Sequence, residues 1–197
     1  MDANYEYIYG DHYIIEDCGR DYYCYYTLND DGLIVKLETK KIENDEGTTD
    51  YLFEYDDGRI ISYEECKFNN QQLFHWEDGE LMYYVQDNKE GSVAKTEFTR
   101  SPLSVDHGYM NPPLSTMREP LYMMGYYGKT SKHLESHFKK EGEGTTTSVL
   151  LECDYTYTIA DGHVVKMVEN LTTTVKMGMM ESSSTKKNIS TFTYEEY

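Results

Sequence analysis

His133 and His137, four residues apart, are the pair in this sequence that most resembles a metal site. On a helix that spacing puts both imidazoles on one face, as zinc ligation requires. A zincin helix places its acid directly after the first histidine; here Leu134 follows and Glu135 comes next, so a solvated helix flank fits better. Met177, Met179 and Met180, with Met123 and Met124, are soft ligands in type. Filling an irregular gap between a sheet and its insert accounts for them better. "DEGTTD" and "NDDG" look like calcium-loop fragments, but neither continues to a glutamate at the required spacing, and both read as hairpin turns. No metal or other cofactor is expected.

Nucleophilic chemistry is equally thin. No G-x-S-x-G occurs, and "EGEG" at 141–144 would repel a phosphate with its own carboxylates. Cys66 could act with His75 or His163, yet a buried structural thiol is the better reading. Carboxylates are too numerous for one pair to stand out as glycosidase-like. The one positive signal is aromatic: Trp76, Tyr83, Tyr84, Tyr126 and Tyr127 at sheet edges are residues that stack on sugar rings or anchor a partner protein. Against that stands their use as the sheet's own core.

The elements that must position these residues follow from composition. The chain has 197 residues, with 21 Tyr, 6 Phe and 1 Trp, and only 39% hydrophobic residues. Tyr, Thr and Val favour pleated, half-buried strands, so tyrosine supplies much of the packing. Asp and Glu number 36 against 18 Lys and Arg, a formal charge of −18. A surface so acidic repels nucleic-acid phosphates and anionic lipid, which excludes nucleic acid as a partner. No apolar run is long enough for a transmembrane helix, and "MDANYEYIYG" is not a signal peptide. Cys18, Cys24, Cys66 and Cys153 allow three disulfide pairings or none.

Four Asp-Gly pairs carry the architecture, at Gly32, Gly58, Gly79 and Gly162. Before each lie alternating aromatics (Tyr23 and Tyr25, Phe53 and Tyr55, Phe74 and Trp76, Tyr155 and Tyr157), and after each a pair of apolar residues (Ile34-Val35, Ile60-Ile61, Leu81-Met82, Val164-Val165). Asp-Gly between alternating runs is a hairpin signal, because glycine takes positive φ without a Cβ penalty. Repetition with the same flanks makes it an internal repeat. Turns at 43–47 and 87–91 link the other strand ends, predicting a continuous antiparallel meander. Strands are expected over about 5–100 and 146–197 of a single β domain, ending on the alternation of Phe192 and Tyr194.

Between them lies an expected insert, 101–144. The four prolines, Pro102, Pro112, Pro113 and Pro120, fall here, so the stretch from Ser101 to Lys129 reads as a long connection. "LYMMGYYG" at 121–128 is apolar enough to be buried. "TSKHLESHFKK" at 130–140 reads as a short helix, capped by Ser131, with Leu134 and Phe138 on one face and Lys139-Lys140 at its C-terminus. It is the available cover for the concave face of a strongly curved, incompletely closed sheet.

"FEYDDGRI" resembles the tyrosine-aspartate repeats of bacterial wall-associated and toxin shells. More specifically, "YLFEYDDGRI", "FHWEDGELMYY" and "GYYGKTSKHLESHF" before "TTTSVLLECDYTYTIADGHVVKMVENL" are similar to a family of uncharacterised lipoproteins of gut anaerobes with a porin-like fold. The resemblance covers roughly 20–197. It implies a curved antiparallel sheet around a short helical segment, export through a lipoprotein signal absent from this sequence, and placement in the periplasm or on the outer membrane. It implies no catalytic residues. Outward positions of Thr, Lys, Glu and Ser contradict the apolar band of a membrane barrel, so a pore is not expected. "DHYIIEDCGRDYYCYY" and the tail stretch "KMGMMESSSTKKN" depart from the family, the latter reading as irregular. The function expected is a non-enzymatic envelope protein that binds or scaffolds. A glycan-binding accessory protein using edge aromatics and a hydrolase with an unrecognised site are the alternatives.

Overall fold

A computed structural model of the chain describes residues 6–18, 21–87, 93–104, 121–122, 124–143 and 146–193. Thirteen strands follow in chain order: β1 (Tyr7–Tyr9), β2 (Tyr13–Asp17), β3 (Tyr22–Leu28), β4 (Ile34–Lys41), β5 (Gly47–Asp56), β6 (Arg59–Glu65), β7 (Asn70–Glu77), β8 (Glu80–Asp87), β9 (Val93–Ser104), β10 (His133–Glu143), β11 (Thr147–Ala160), β12 (His163–Met177) and β13 (Met180–Thr191). Among the described residues each strand is hydrogen-bonded to the next, an antiparallel meander in which β1 and β13 have a single strand neighbour each. Among the described residues, helical backbone is confined to 121–122 and a 3-10 turn at Cys66–Phe68. None is long and apolar enough to cross a membrane. The turn at 87–91, Met123, the prolines beyond Pro102 and Tyr194 lie wholly or largely outside the described residues.

The Asp-Gly repeat forms the hairpins. Asp57, Asp78 and Asp161 have φ of 47°, 51° and 53°, and the glycines after them 69°, 84° and 83°. Positive φ at both central residues is the type I′ turn, whose twist matches the strands it joins. The β3–β4 turn is longer: the Asn29 side chain accepts from the backbone N–H of Asp31 at 3.1 Å and of Leu33 at 2.8 Å. The paired apolar residues acquire a reason in the register. Leu28 faces Ile34 and Thr27 faces Lys36; Tyr55 faces Ile60 and Glu54 faces Ser62; Ile159 faces Val164 and Thr158 faces Lys166. Val35, Ile61 and Val165 are therefore the extra residues of three β-bulges. The first of each pair is the core residue, with Ile34, Ile60 and Val164 all buried.

The chain divides into two compact units, Met1–Gln72 with Pro112–Lys129, and Leu73–Asn111 with Thr130–Tyr197. The first packs Ile14, Tyr26, Ile34, Leu37, Phe53, Ile60 and Tyr63 with Leu121, Tyr122 and Tyr127. Tyr127 meets Phe53 edge-on at 5.6 Å. The Ile34 N–H donates to the Tyr126 carbonyl at 2.9 Å and the Lys129 N–H to the Gly58 carbonyl at 2.7 Å, which ties the 121–129 segment to two hairpin ends. The second unit buries Phe74, Leu81, Leu134, Cys153, Val164 and Met167.

Three expectations are corrected. Residues 133–143 are strand β10, not helix, paired with β9 on one side and β11 on the other. An i,i+4 apolar pair such as Leu134 and Phe138 satisfies period two as well as 3.6, and two flanking ladders outweigh local helix propensity. Ser131 accepts a hydrogen bond from the Leu81 N–H at 2.9 Å instead of capping a helix, and Lys139 pairs with Glu141 at 2.5 Å. The insert thus begins later than Ser101: β9 runs to Ser104 and includes Pro102, placed where the register skips from Arg100↔Glu135 to Ser104↔His133. Proline is tolerated where no ladder donor is needed. Finally, "KMGMMESSSTKKN" is a turn and a regular edge strand, with Met177, Met179 and Met180 exposed, not filling a gap.

Candidate functional site

An open cleft of about 700 Å³ lies within the first unit. Its walls are the β3–β4 turn (Asn29, Asp31, Leu33), the β5–β6 hairpin end (Tyr55 to Gly58) and the loop residues Gly125, Gly128 and Lys129. Tyr55 donates its hydroxyl to the Ile34 carbonyl at 2.7 Å. Burial, reinforced by Tyr127, pushes its phenol far above the usual range, so it stays neutral. Asp57 receives Lys129 Nζ at 2.9 Å and Arg59 Nη1 at 2.6 Å, and these hydrogen bonds, Lys129's foremost, hold its carboxyl below the usual range. Gly128 lets the loop lie against the hairpin, since a Cβ there would overlap the Gly58 carbonyl. The result is an apolar and aromatic patch (Leu33, Tyr55) rimmed by Asn29, Asp31, Asp56 and the Lys129–Asp57 pair. Carboxylates around the rim disfavour anionic ligands, while donors and acceptors beside an apolar patch suit a polyhydroxylated or amine-bearing one.

The second unit holds a polar network. Arg100 on β9 reaches Glu135 on β10 at 3.3 Å and Glu80 on β8 at 3.8 Å, and donates to the Leu81 carbonyl at 2.5 Å. His133 Nδ1 lies 2.9 Å from Glu80. Burial raises the Glu135 carboxyl above its usual range, opposed by the Arg100 charge. The network fixes β8, β9 and β10 across the point where the register shifts.

The aromatic candidates disperse. Tyr83 lies between His75, stacked at 4.6 Å, and Lys95 at 4.5 Å. Tyr84 points to the other face against Phe74 and Phe98. Trp76 is half-buried on β7. Tyr126 stacks on Tyr9 at 6.1 Å, and Tyr127 is buried. His133 and His137 do not share a ligand site: His137 pairs with Asp154 at 2.9 Å, His133 with Glu80. Burial pushes the thiols of Cys66 and Cys153 upward, which keeps them protonated and poorly nucleophilic. Cys18 and Cys24 form a disulfide at the end of the β2–β3 pair where the chain turns from one strand into the next. Sequence reasoning missed the cleft because its walls meet only in the fold; the Asp-Gly turns that line it read as turns alone.

These features define, among the described residues, an antiparallel β-meander protein with an open, acidic-rimmed cleft. In fold the chain is similar to a porin-like protein from Bacteroides uniformis ATCC 8492, with a TM-score of 0.61, 15% identity, and coverage of 95% of this chain and 76% of that one. The expected porin-like fold is thereby found. Neither a protein-family profile nor a curated protein matches the chain.

Proposed function

We propose that this is an exported, envelope-associated, non-enzymatic binding protein of the lipoprotein type, whose ligand is a neutral or amino-bearing saccharide held in the cleft of the first unit. The observation that carries the reading is the cleft's composition: Tyr55 and Leu33 beside Asn29, Asp31, Asp56 and Lys129. Tyrosine and leucine cover a sugar's apolar face while carboxylate, amide and ammonium groups reach its hydroxyls. The Cys18–Cys24 disulfide suits an oxidising compartment. The fold neighbour, a porin-like protein, agrees with an envelope setting.

A glycan array followed by calorimetry on the full chain tests this. Lys129→Ala and Asp56→Asn are each expected to weaken the best glycan about tenfold, the loss of roughly one charge-assisted hydrogen bond. Tyr83→Ser, outside the cleft, should leave affinity unchanged. Loss of binding in Tyr83→Ser with no change in Lys129→Ala would move the site to the edge aromatics. Release of shorter saccharides during the titration would mark a hydrolase instead. No binding to any glycan sinks the proposal.

A further inference from the structure

Glu16, Cys18 and Cys24 form a cluster that neither the cleft nor the Arg100 network uses. Glu16 on β2 lies directly opposite Cys24 on β3, and directly paired residues point to one face. Cys18 follows Glu16 by two positions, and one ligand atom from each of the three residues lies within 4.8 Å of the others. Glu16 is fully buried, and Tyr26, equally buried, donates its hydroxyl to Oε2. Such an outer hydrogen bond orients a carboxylate toward whatever its other side meets. Cys24 is buried while Cys18 is exposed, so the cluster opens to solvent on the Cys18 side.

Joined as a disulfide, the sulfurs can neither donate to the carboxylate nor ligate strongly. Reduced, the three residues supply two thiolates and one carboxylate, a donor set suited to a borderline-soft divalent cation, with a fourth position left for water. We propose that reduced Cys18 and Cys24, with Glu16, bind a thiophilic divalent cation of the zinc class, and that the disulfide is the metal-free state of the same site. A dithiol reductant breaks the Cys18–Cys24 bond by exchange, giving two protein thiols and the reductant's own disulfide. The cation then displaces two thiol protons to solvent and adds the Glu16 oxygen. Release reverses this: a disulfide oxidant takes two electrons, the sulfurs rejoin and the cation leaves.

Cadmium titration of the full chain tests the idea, read by thiolate-to-cadmium charge-transfer absorption and by zinc competition. After phosphine reduction the wild type is expected to take up one cadmium per chain, and the oxidised protein none. Cys18→Ser, at an exposed position, should abolish uptake, whereas Cys66→Ser with Cys153→Ser should retain it. Glu16→Gln should weaken binding at least tenfold, and recovery of its disulfide on reoxidation would show that the hairpin still forms. No uptake by the reduced wild type, or uptake that survives Cys18→Ser, would overturn the site. Undiminished affinity in Glu16→Gln would overturn the assignment of the carboxylate.

Discussion

Burial decides the chemistry of individual residues here. Cys153 is buried and Cys66 half-buried, while Cys18 and Cys24 are joined. Thiol titration of the non-reduced protein should therefore give a slow reaction at Cys66 in native buffer, two thiols in denaturant, and four after reduction. Four thiols without reductant would remove the disulfide and the argument for an oxidising compartment. Glu135 has a definite sign. Its folded-state carboxyl titrates above the ordinary 4.5 because burial outweighs the Arg100 charge. A folded pKa above the unfolded one means stability that is present below about 4.5 and lost as pH climbs through the raised value. Urea unfolding should then show wild type losing ground relative to Glu135→Gln as pH rises from 4.5 toward neutrality. The opposite trend, at lower pH, would mean that Arg100 dominates.

At the scale of elements, the hairpins separate two uses of glycine. A Cβ at Gly162 meets nothing within 4 Å, so Gly162→Ala carries only the strain of φ near +83°. That costs ~1–2 kcal/mol. Gly128→Ala combines φ of +87° with overlap on the Gly58 carbonyl. Overpacking there adds ~1–3 kcal/mol. Denaturation midpoints should rank them in that order, and equal losses would show that the 121–129 loop is not held against the hairpin. The hairpins themselves were legible, because alternation and Asp-Gly are local properties. The bulges were written in the sequence as doubled apolar residues, yet needed the register to be read as such. Strand β10 was misread because an even spacing such as Leu134 to Phe138 serves both periods, and only the β9 and β11 ladders choose between them.

For the whole molecule, charge is the governing quantity. With 36 acidic against 18 basic side chains, the folded chain repels itself at neutral pH. Raising monovalent salt from about 10 to about 150 mM shortens the screening length from ~30 to ~8 Å, and the thermal midpoint should rise. A fall would mean that ion pairs such as Lys129–Asp57 and Arg100–Glu135 outweigh the repulsion. The same acidity frames the cleft, whose rim gathers Asp31, Asp56 and Asp57 from separate hairpin ends.

By itself the sequence determined the β class, the antiparallel meander and the positions of its Asp-Gly turns, since each depends on alternation and on glycine's freedom at positive φ. Only the tertiary structure decided that 133–143 is a strand, that Cys18 joins Cys24, and that Tyr55, Asp57 and Lys129 share a cleft. Each of those depends on which segments meet. Long-range pairing sets those meetings, and no local period encodes it.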